Sequence, residues 1–146
     1  MAQIGDTHAL KHLLADTYVL YLKTQNYHWN VVGQNFHAYH LFFEEQYKEL
    51  AEASDAIAER IRALGEVAPA TFQEFSQLKT LPEGKYGINA MAMLQDLLDS
   101  HIAIGKTLHA VMKQAKKEED EVTLNLIIDR MEAHEKMAWM LKSHLT

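Results

Sequence analysis

The chain of 146 residues contains no cysteine. Because thiols are absent, disulfides, thiolate metal ligands and cysteine nucleophiles are excluded, and any metal site must use His, Asp and Glu. No stretch approaches the ~20 consecutive apolar residues that a membrane-spanning helix needs, and the amino terminus lacks a basic region followed by an apolar run. A cytoplasmic location without membrane attachment is therefore expected by default.

Basic residues are also scarce, with 14 Lys and Arg against 20 Asp and Glu, which gives a formal charge of −6. Nucleic-acid binding depends mainly on Lys and Arg that neutralise phosphates, so general affinity for polyanions is disfavoured. Nine histidines in an acidic chain suit divalent cations better. The length is typical of one domain with its own core, and we expect a single domain over residues 1–146.

Both prolines and three of the six glycines lie between residues 65 and 87, which leaves the rest of the chain free to form long helices. Hydrophobic periodicity and capping residues predict four of them. They run from about Asp6 or Thr7 to Val31, from Phe36 to Gly65 with Asn35 as the cap, from near Asn89 through Ala115, and from the acidic run at 118–121 to about His144.

The proline-containing segment is predicted to be a long crossover between the second and third long helices. Residues Thr71 to Leu78 can form a short helix within it that buries Phe72, Phe75 and Leu78, and the outer face of the second long helix is the candidate surface for it to cover. Four long helices with one long connection define an all-α, ferritin-like four-helix bundle with a short extra helix in the crossover.

Two histidines fall on apolar helical stripes on either side of the same short link. His28 ends the stripe of the first helix, and His40 lies on the stripe of the second, with Glu44 one turn further on. Two imidazoles and a carboxylate form a ligand set suited to iron, zinc or manganese. A histidine on an apolar face is more often a hydrogen-bonded core residue, so spacing alone leaves both interpretations open.

Asp55 and Glu59 form a second group of candidate ligands on the same helix. We expect them on roughly the opposite face from His40, and the fifteen positions from His40 to Asp55 correspond to roughly 22 Å along the axis. If all these groups belong to one site, one pair must come from a second copy packed antiparallel. The alternative is an ordinary solvated acidic face flanked by Arg60 and Arg62.

Several neighbouring side chains allow two interpretations. Leu41 and Phe42 are apolar but lie outside the apolar stripe of the second long helix. Either the crossover or a second subunit can bury them. Trp29 beside the candidate site is most simply a core aromatic, with electron donation to an oxidant as the alternative. His37, one turn from His40, is expected to be a surface residue rather than a ligand.

The segments YHWNVVGQNFHAYHLFFEE, at residues 27–45, and SDAIAERIRALG, at residues 54–65, resemble the Dps family of miniferritins, the DNA-binding proteins from starved cells. In helix order the resemblance covers essentially the whole chain. It implies a ferroxidase centre at a two-fold interface, with His28, His40 and Glu44 from one subunit and Asp55 and Glu59 from the other. The family commonly has Asp where this chain has Glu44, which keeps the charge and lengthens the arm by one methylene.

The resemblance also implies a hollow homo-dodecamer that oxidises Fe(II), usually with hydrogen peroxide, and stores ferric mineral, with zinc or manganese as substitute metals. Acidic residues line three-fold channels in the family, which makes the acidic run Glu118, Glu119, Asp120 and Glu121 a candidate iron entry. An amino-terminal helix cap with solvated acids is the simpler interpretation of the same run.

A nucleoid-compacting structural protein with a minor metal role is the alternative function. Many relatives bind DNA through a lysine-rich terminal arm, but residues 1–25 here contain only Lys11 and Lys23 against Asp6 and Asp16. DNA binding is therefore expected to be weak or absent at neutral pH, and nucleoid association depends on it. An intramolecular di-iron oxidase needs Glu-x-x-His motifs on two helices, and the second and fourth long helices have none.

Overall fold

The computed structural model describes residues 4–146, and the side chains from Thr7 onward. The described chain forms five helices: α1 (Ile4–Asn30), α2 (Phe36–Ala63), α3 (Phe72–Leu78), α4 (Ala90–Lys117) and α5 (Glu121–His144). The four long helices pair as α1 with α2 and α4 with α5, and the pairs meet through α1 against α4 and α2 against α5. This arrangement confirms the all-α, ferritin-like four-helix bundle.

Helix boundaries follow the capping residues at three of the predicted starts. Thr71, Asn89 and Asp120 each accept a hydrogen bond from the backbone N–H three residues on, which begins α3, α4 and α5. At the end of α2, Gly65 takes φ +96°, the left-handed conformation that glycine adopts most readily.

The structure corrects two details at the ends of the first two long helices. α1 already includes Ile4, the first residue that the structure describes, so it extends further towards the amino terminus than Asp6 or Thr7. Asn35 occupies the cap position of α2 but its side chain makes no capping bond, and the N–H of Phe36 instead bonds the carbonyl of Gly33 at 3.2 Å.

The crossover packs on α1 rather than on the outer face of α2, so that expectation was wrong. Phe75 is buried and stacks on Tyr18 with a ring separation of 4.9 Å, whereas Phe72, predicted to be buried, is 80% exposed. The buried carboxylate of Asp16 fixes the segment by accepting bonds from the N–H and hydroxyl of Thr80, each at 2.6 Å.

A buried polar network ties the carboxyl half of α1 to α4. The Lys23 ammonium lies 2.9 Å from the Ser100 hydroxyl and 3.3 Å from the Asp96 carboxylate. The Tyr27 hydroxyl donates to Asp96 at 2.6 Å and accepts from the N–H of Lys85 at 3.0 Å. Burial lowers the pKa of Lys23, and burial together with the bond to Asp96 raises the pKa of Tyr27. The network therefore holds α1 in position at Tyr27, the residue immediately before His28.

Candidate metal centre

His28 and His40 face each other across the five-residue link from α1 to α2. The two rings stack with centroids 3.8 Å apart and an interplanar angle of 14°. Phe36 stacks on the outer face of His40, and Tyr47 meets His28 edge-on at 5.1 Å. His28 is buried and His40 is half-buried, so aromatic packing restricts both rings.

The two histidines hold each other through reciprocal hydrogen bonds to the backbone. Nδ1 of His28 bonds the carbonyl of His40 at 2.6 Å, and Nδ1 of His40 bonds the carbonyl of His28 at 2.7 Å. Because a carbonyl oxygen can only accept, each Nδ1 carries the proton and each Nε2 presents a lone pair. A hydrogen bond of this kind fixes the tautomer and ring orientation of metal-binding histidines.

Glu44 completes the cluster from one turn further along α2. One ligand atom from each of His28, His40 and Glu44 lies within 4.8 Å of the others, and in residues 4–146 this is the one group of three potential ligands so close together. Nε2 of His28 is 3.8 Å from the Glu44 carboxylate. The prediction that these three side chains meet at one turn is confirmed by this geometry, whereas their binding of a metal stays a prediction.

Lys48 also contacts the cluster, although it was not predicted from the sequence. Its ammonium bonds the other oxygen of Glu44 at 2.8 Å, and this bond and charge lower the pKa of the Glu44 carboxyl. Lys48 follows Glu44 by four residues, the spacing at which opposite charges meet on a helix surface, so the pattern could have revealed it. A divalent ion binding at the cluster would compete with Lys48 for Glu44.

Asp55 and Glu59 lie apart from this cluster, as the axial distance predicted, but not on the opposite face. At about 100° per residue, Asp55 is only about 60° from His40 around α2, and Glu44, Asp55 and Glu59 all lie away from the helix face that packs into the core. The expectation of opposite faces was therefore wrong, and separation along the axis alone keeps these acids out of the cluster.

The two arginines beside these acids bind elsewhere. Arg60 pairs with Asp120 at 3.0 Å, and Arg62 donates to the carbonyl of Glu66 at 3.1 Å. Among the residues that the structure describes, Asp55 and Glu59 form no ion pair. Asp55 borders a groove of about 540 Å³ whose wall includes the exposed ring of Phe72. These acids are thus open to a ligand or a partner from outside the chain.

Four other side chains were named from the sequence, and the structure places each of them. Trp29 is 63% exposed, so its assignment as a core aromatic was wrong, and His37 is on the surface outside the cluster, as expected. Phe42 is covered by His144 at the end of α5, with ring centroids 4.6 Å apart, rather than by the crossover. Leu41 remains 43% exposed.

The four acidic residues at the α4–α5 turn have different contacts and different exposure. Asp120 caps α5 and pairs with Arg60, while the Glu118 carboxylate accepts a bond from Gln114. Glu119 and Glu121 are exposed and border the same surface depression. Only these last two are placed to act on ions in solution.

Comparison with known proteins agrees with this geometry. Residues 7–146 match the model of the ferritin-like domain. The chain is 36% identical over 136 residues to DNA protection during starvation protein 2 of Bacillus anthracis, covering 93% of each sequence. The chain belongs to the Dps miniferritin family.

Solved Dps structures share the fold over nearly their whole length. Dps from Staphylococcus aureus superposes with a TM-score of 0.96 at 32% identity, covering 99% of this chain and 97% of that one. The Dps protein from Vibrio cholerae O1, described as a member of a broad superfamily of ferritin-like diiron-carboxylate proteins, gives a TM-score of 0.94 at 31% identity, covering 97% and 89%. Membership of this superfamily supports iron binding. In residues 4–146 no helix is both long and apolar enough to cross a membrane.

Proposed function

We propose that this miniferritin oxidises Fe(II), preferentially with hydrogen peroxide, at centres shared between two subunits, and stores the ferric product inside a hollow homo-dodecamer. The observation that carries the proposal is the cluster of His28, His40 and Glu44, in which both Nε2 lone pairs are already fixed beside a carboxylate. Iron is the substrate and cargo of this site.

Each part of the cluster suits a redox-active ion. Imidazole binds iron, zinc and manganese alike, and the anionic oxygens of carboxylates favour the harder ferric state over the ferrous state. Two Fe(II) ions each give up one electron, and one hydrogen peroxide takes both, breaks its O–O bond and, with two protons, leaves two molecules of water. Zinc has no redox chemistry, so Zn²⁺ in the same position is expected to inhibit oxidation.

The shared site is inferred from the length of α2. Asp55 lies roughly 22 Å from His40 along the axis, so its carboxylate can reach a cluster of this kind only on another copy. Its exposure, its lack of an ion pair within the described chain and the apolar groove beside it support an interface at this surface. In a two-fold pair each copy would contribute both halves, giving two equivalent centres.

Subunit mixing tests this arrangement. A His28→Ala/His40→Ala variant and an Asp55→Ala/Glu59→Ala variant are expected to be inactive alone in peroxide-driven Fe(II) oxidation. After subunit exchange, each mixed pair contains one intact centre and one with both lesions. Because half of randomly formed pairs are mixed, activity should return to about a quarter of wild type.

Glu44→Gln provides the matched control, because Glu44 belongs to the same half of the site as the histidines. Mixing Glu44→Gln with the His28→Ala/His40→Ala variant should restore nothing. If exchange is confirmed by mass and the first mixture also stays inactive, or if the control mixture recovers equally, the shared-site model is wrong.

A further inference from the structure

A second histidine pair lies near the amino end of α1, away from the candidate metal centre. His8 and His12 are one helical turn apart, and their Nε2 atoms are 3.1 Å from each other. The rings meet edge to face, with centroids 4.6 Å apart. His8 is exposed and His12 is half-buried, so the space around the two nitrogens is accessible from solvent.

The backbone fixes the tautomer of His12 as it does for the histidines of the centre. Nδ1 of His12 donates to the carbonyl of Leu78, at the end of α3, at 2.7 Å. Its proton is therefore on Nδ1, and the lone pair is on Nε2, which lies next to His8. The same bond from Nδ1 to a carbonyl orients His28 and His40, and it is the usual outer contact of a metal-binding histidine.

The distance between the two nitrogens suits one ion. With metal–nitrogen bonds of about 2.0–2.1 Å, a nitrogen separation of 3.1 Å corresponds to an N–metal–N angle of about 98°. This value lies between those of octahedral or square-planar and tetrahedral coordination, so an ion needs no change in the backbone. In the metal-free pair Nε2 of His8 carries the proton that it donates to Nε2 of His12. Binding an ion therefore requires the exposed His8 ring to exchange this proton to Nδ1 through solvent and to turn its Nε2 lone pair towards the ion.

We propose that His8 and His12 form a second metal site that takes a borderline divalent ion, Cu²⁺, Ni²⁺ or Zn²⁺, with exchangeable ligands such as water completing the coordination. Two imidazoles without a carboxylate favour these ions over Fe²⁺, and Cu²⁺ binds most tightly. Lys11, on the same turn, has its charge directed to Glu66 at 3.2 Å.

This site is independent of iron oxidation. His28 lies sixteen positions after His12, which corresponds to roughly 24 Å along α1. Because His12 is also bonded to Leu78, an ion held there would link the first turns of α1 to the end of α3. Metal binding should therefore stabilise the contact between α1 and the crossover.

Copper titration of the assembled protein tests the proposal. In a His28→Ala/His40→Ala background, which removes the centre, Cu²⁺ binding is measured by calorimetry and by the nitrogen hyperfine pattern in electron paramagnetic resonance. We expect a bound Cu²⁺ with two-imidazole character in each chain. Adding His8→Ala or His12→Ala should abolish that signal.

His109→Ala is the control, since His109 is a single exposed histidine on α4. It should leave the signal unchanged. His8→Ala keeps the bond from His12 to Leu78, so it separates loss of a ligand from loss of local structure, and assembly is checked by mass for every variant. Retention of the two-imidazole signal in His8→Ala or His12→Ala, or its equal loss in His109→Ala, would overturn the assignment.

Discussion

The buried pair of His101 and His134 predicts that the protein loses stability in mild acid. Nδ1 of His101 and Nδ1 of His134 are 2.9 Å apart between α4 and α5. Arg130 donates to Nε2 of His134 at 3.0 Å and pairs with Glu49 on α2. Since Arg130 can only donate, His134 must carry its proton on Nδ1 and donate it to His101. Neither ring can accept another proton without placing a second cation beside Arg130.

The pKa values give the size and sign of the effect. Burial, with the charges of Arg130 and Lys23, lowers the pKa of His101 to about 3, and burial with His101 and Arg130 lowers that of His134 well below its usual value. An unfolded histidine binds a proton near pH 6.5, so between pH 6.5 and about 3 the unfolded state binds more protons, and stability falls as pH falls. His101 alone should remove roughly 2 kcal/mol per chain at pH 5, and His134 adds to the loss.

Urea unfolding followed by far-ultraviolet circular dichroism at pH 7.5, 6 and 5 measures this loss. Protein concentration is held constant, because the apparent stability of an oligomer depends on it. We expect the free energy of unfolding of wild type to fall steeply below pH 6.5. A His101→Leu/His134→Leu variant, which cannot titrate at these positions, should lose less stability over the same range, whatever its stability at pH 7.5.

His109→Gln is the matched control, because His109 is exposed and should leave the pH dependence of wild type unchanged. If the double leucine variant and wild type lose stability with equal slopes between pH 6.5 and 5, the buried pair does not control acid sensitivity. Carbon-bound proton resonances of His101 or His134 that titrate near pH 6.5 in the folded protein would contradict the argument directly.

Three further predictions concern the buried network, iron entry and DNA. Asp96→Asn leaves the Lys23 ammonium without its carboxylate and should lower the free energy of unfolding by roughly 3–5 kcal/mol. Part of this loss should be recovered in the double variant Lys23→Met/Asp96→Asn. If the effects of the two single substitutions on the free energy of unfolding are strictly additive, the two residues are not coupled. Glu119→Gln/Glu121→Gln, which spares the α5 cap, should slow iron uptake at low ionic strength and weaken the dependence of uptake on salt. If stopped-flow assays give equal uptake rates and equal salt dependence for the variant and wild type, these acids do not attract iron. The protein should cause little or no gel retardation of DNA at neutral pH and physiological salt. Tight binding under those conditions would show that its few basic residues suffice.

The helices and the cluster of candidate metal ligands could be predicted from the sequence because their signals are local. Asn89 and Asp120 cap their helices through bonds to residues three positions away, and Gly65 ends α2 by its own conformation. The proximity of His28 and His40 could be predicted because the link between their helices is too short for any arrangement except an antiparallel pair. In each case the deciding information lies within a few residues.

Apart from Lys48, which contacts Glu44 one turn away, the missed features depend on distant partners. Lys23 occupies a core position on α1 that looks unfavourable until Asp96, 73 positions further along the chain, supplies the opposite charge. Likewise, Arg130 at a core position makes sense only with Glu49 on another helix. The exposure of Phe72 could not be predicted, because it depends on which helix the crossover covers.

These buried cations explain why the candidate centre lies at the edge of the bundle. Lys23 and Arg130 place fixed positive charge among the four helices, each beside the carboxylate that neutralises it. A metal ion there would have to displace a buried ammonium or guanidinium from its partner, and separating such a pair is costly. At the α1–α2 turn the competing cation is Lys48, which is exposed and can move into water when an ion takes its place. Among the described side chains, the ligand cluster at that edge contains one carboxylate, that of Glu44. We expect further carboxylates to come from a second copy, which would link oxidation to assembly.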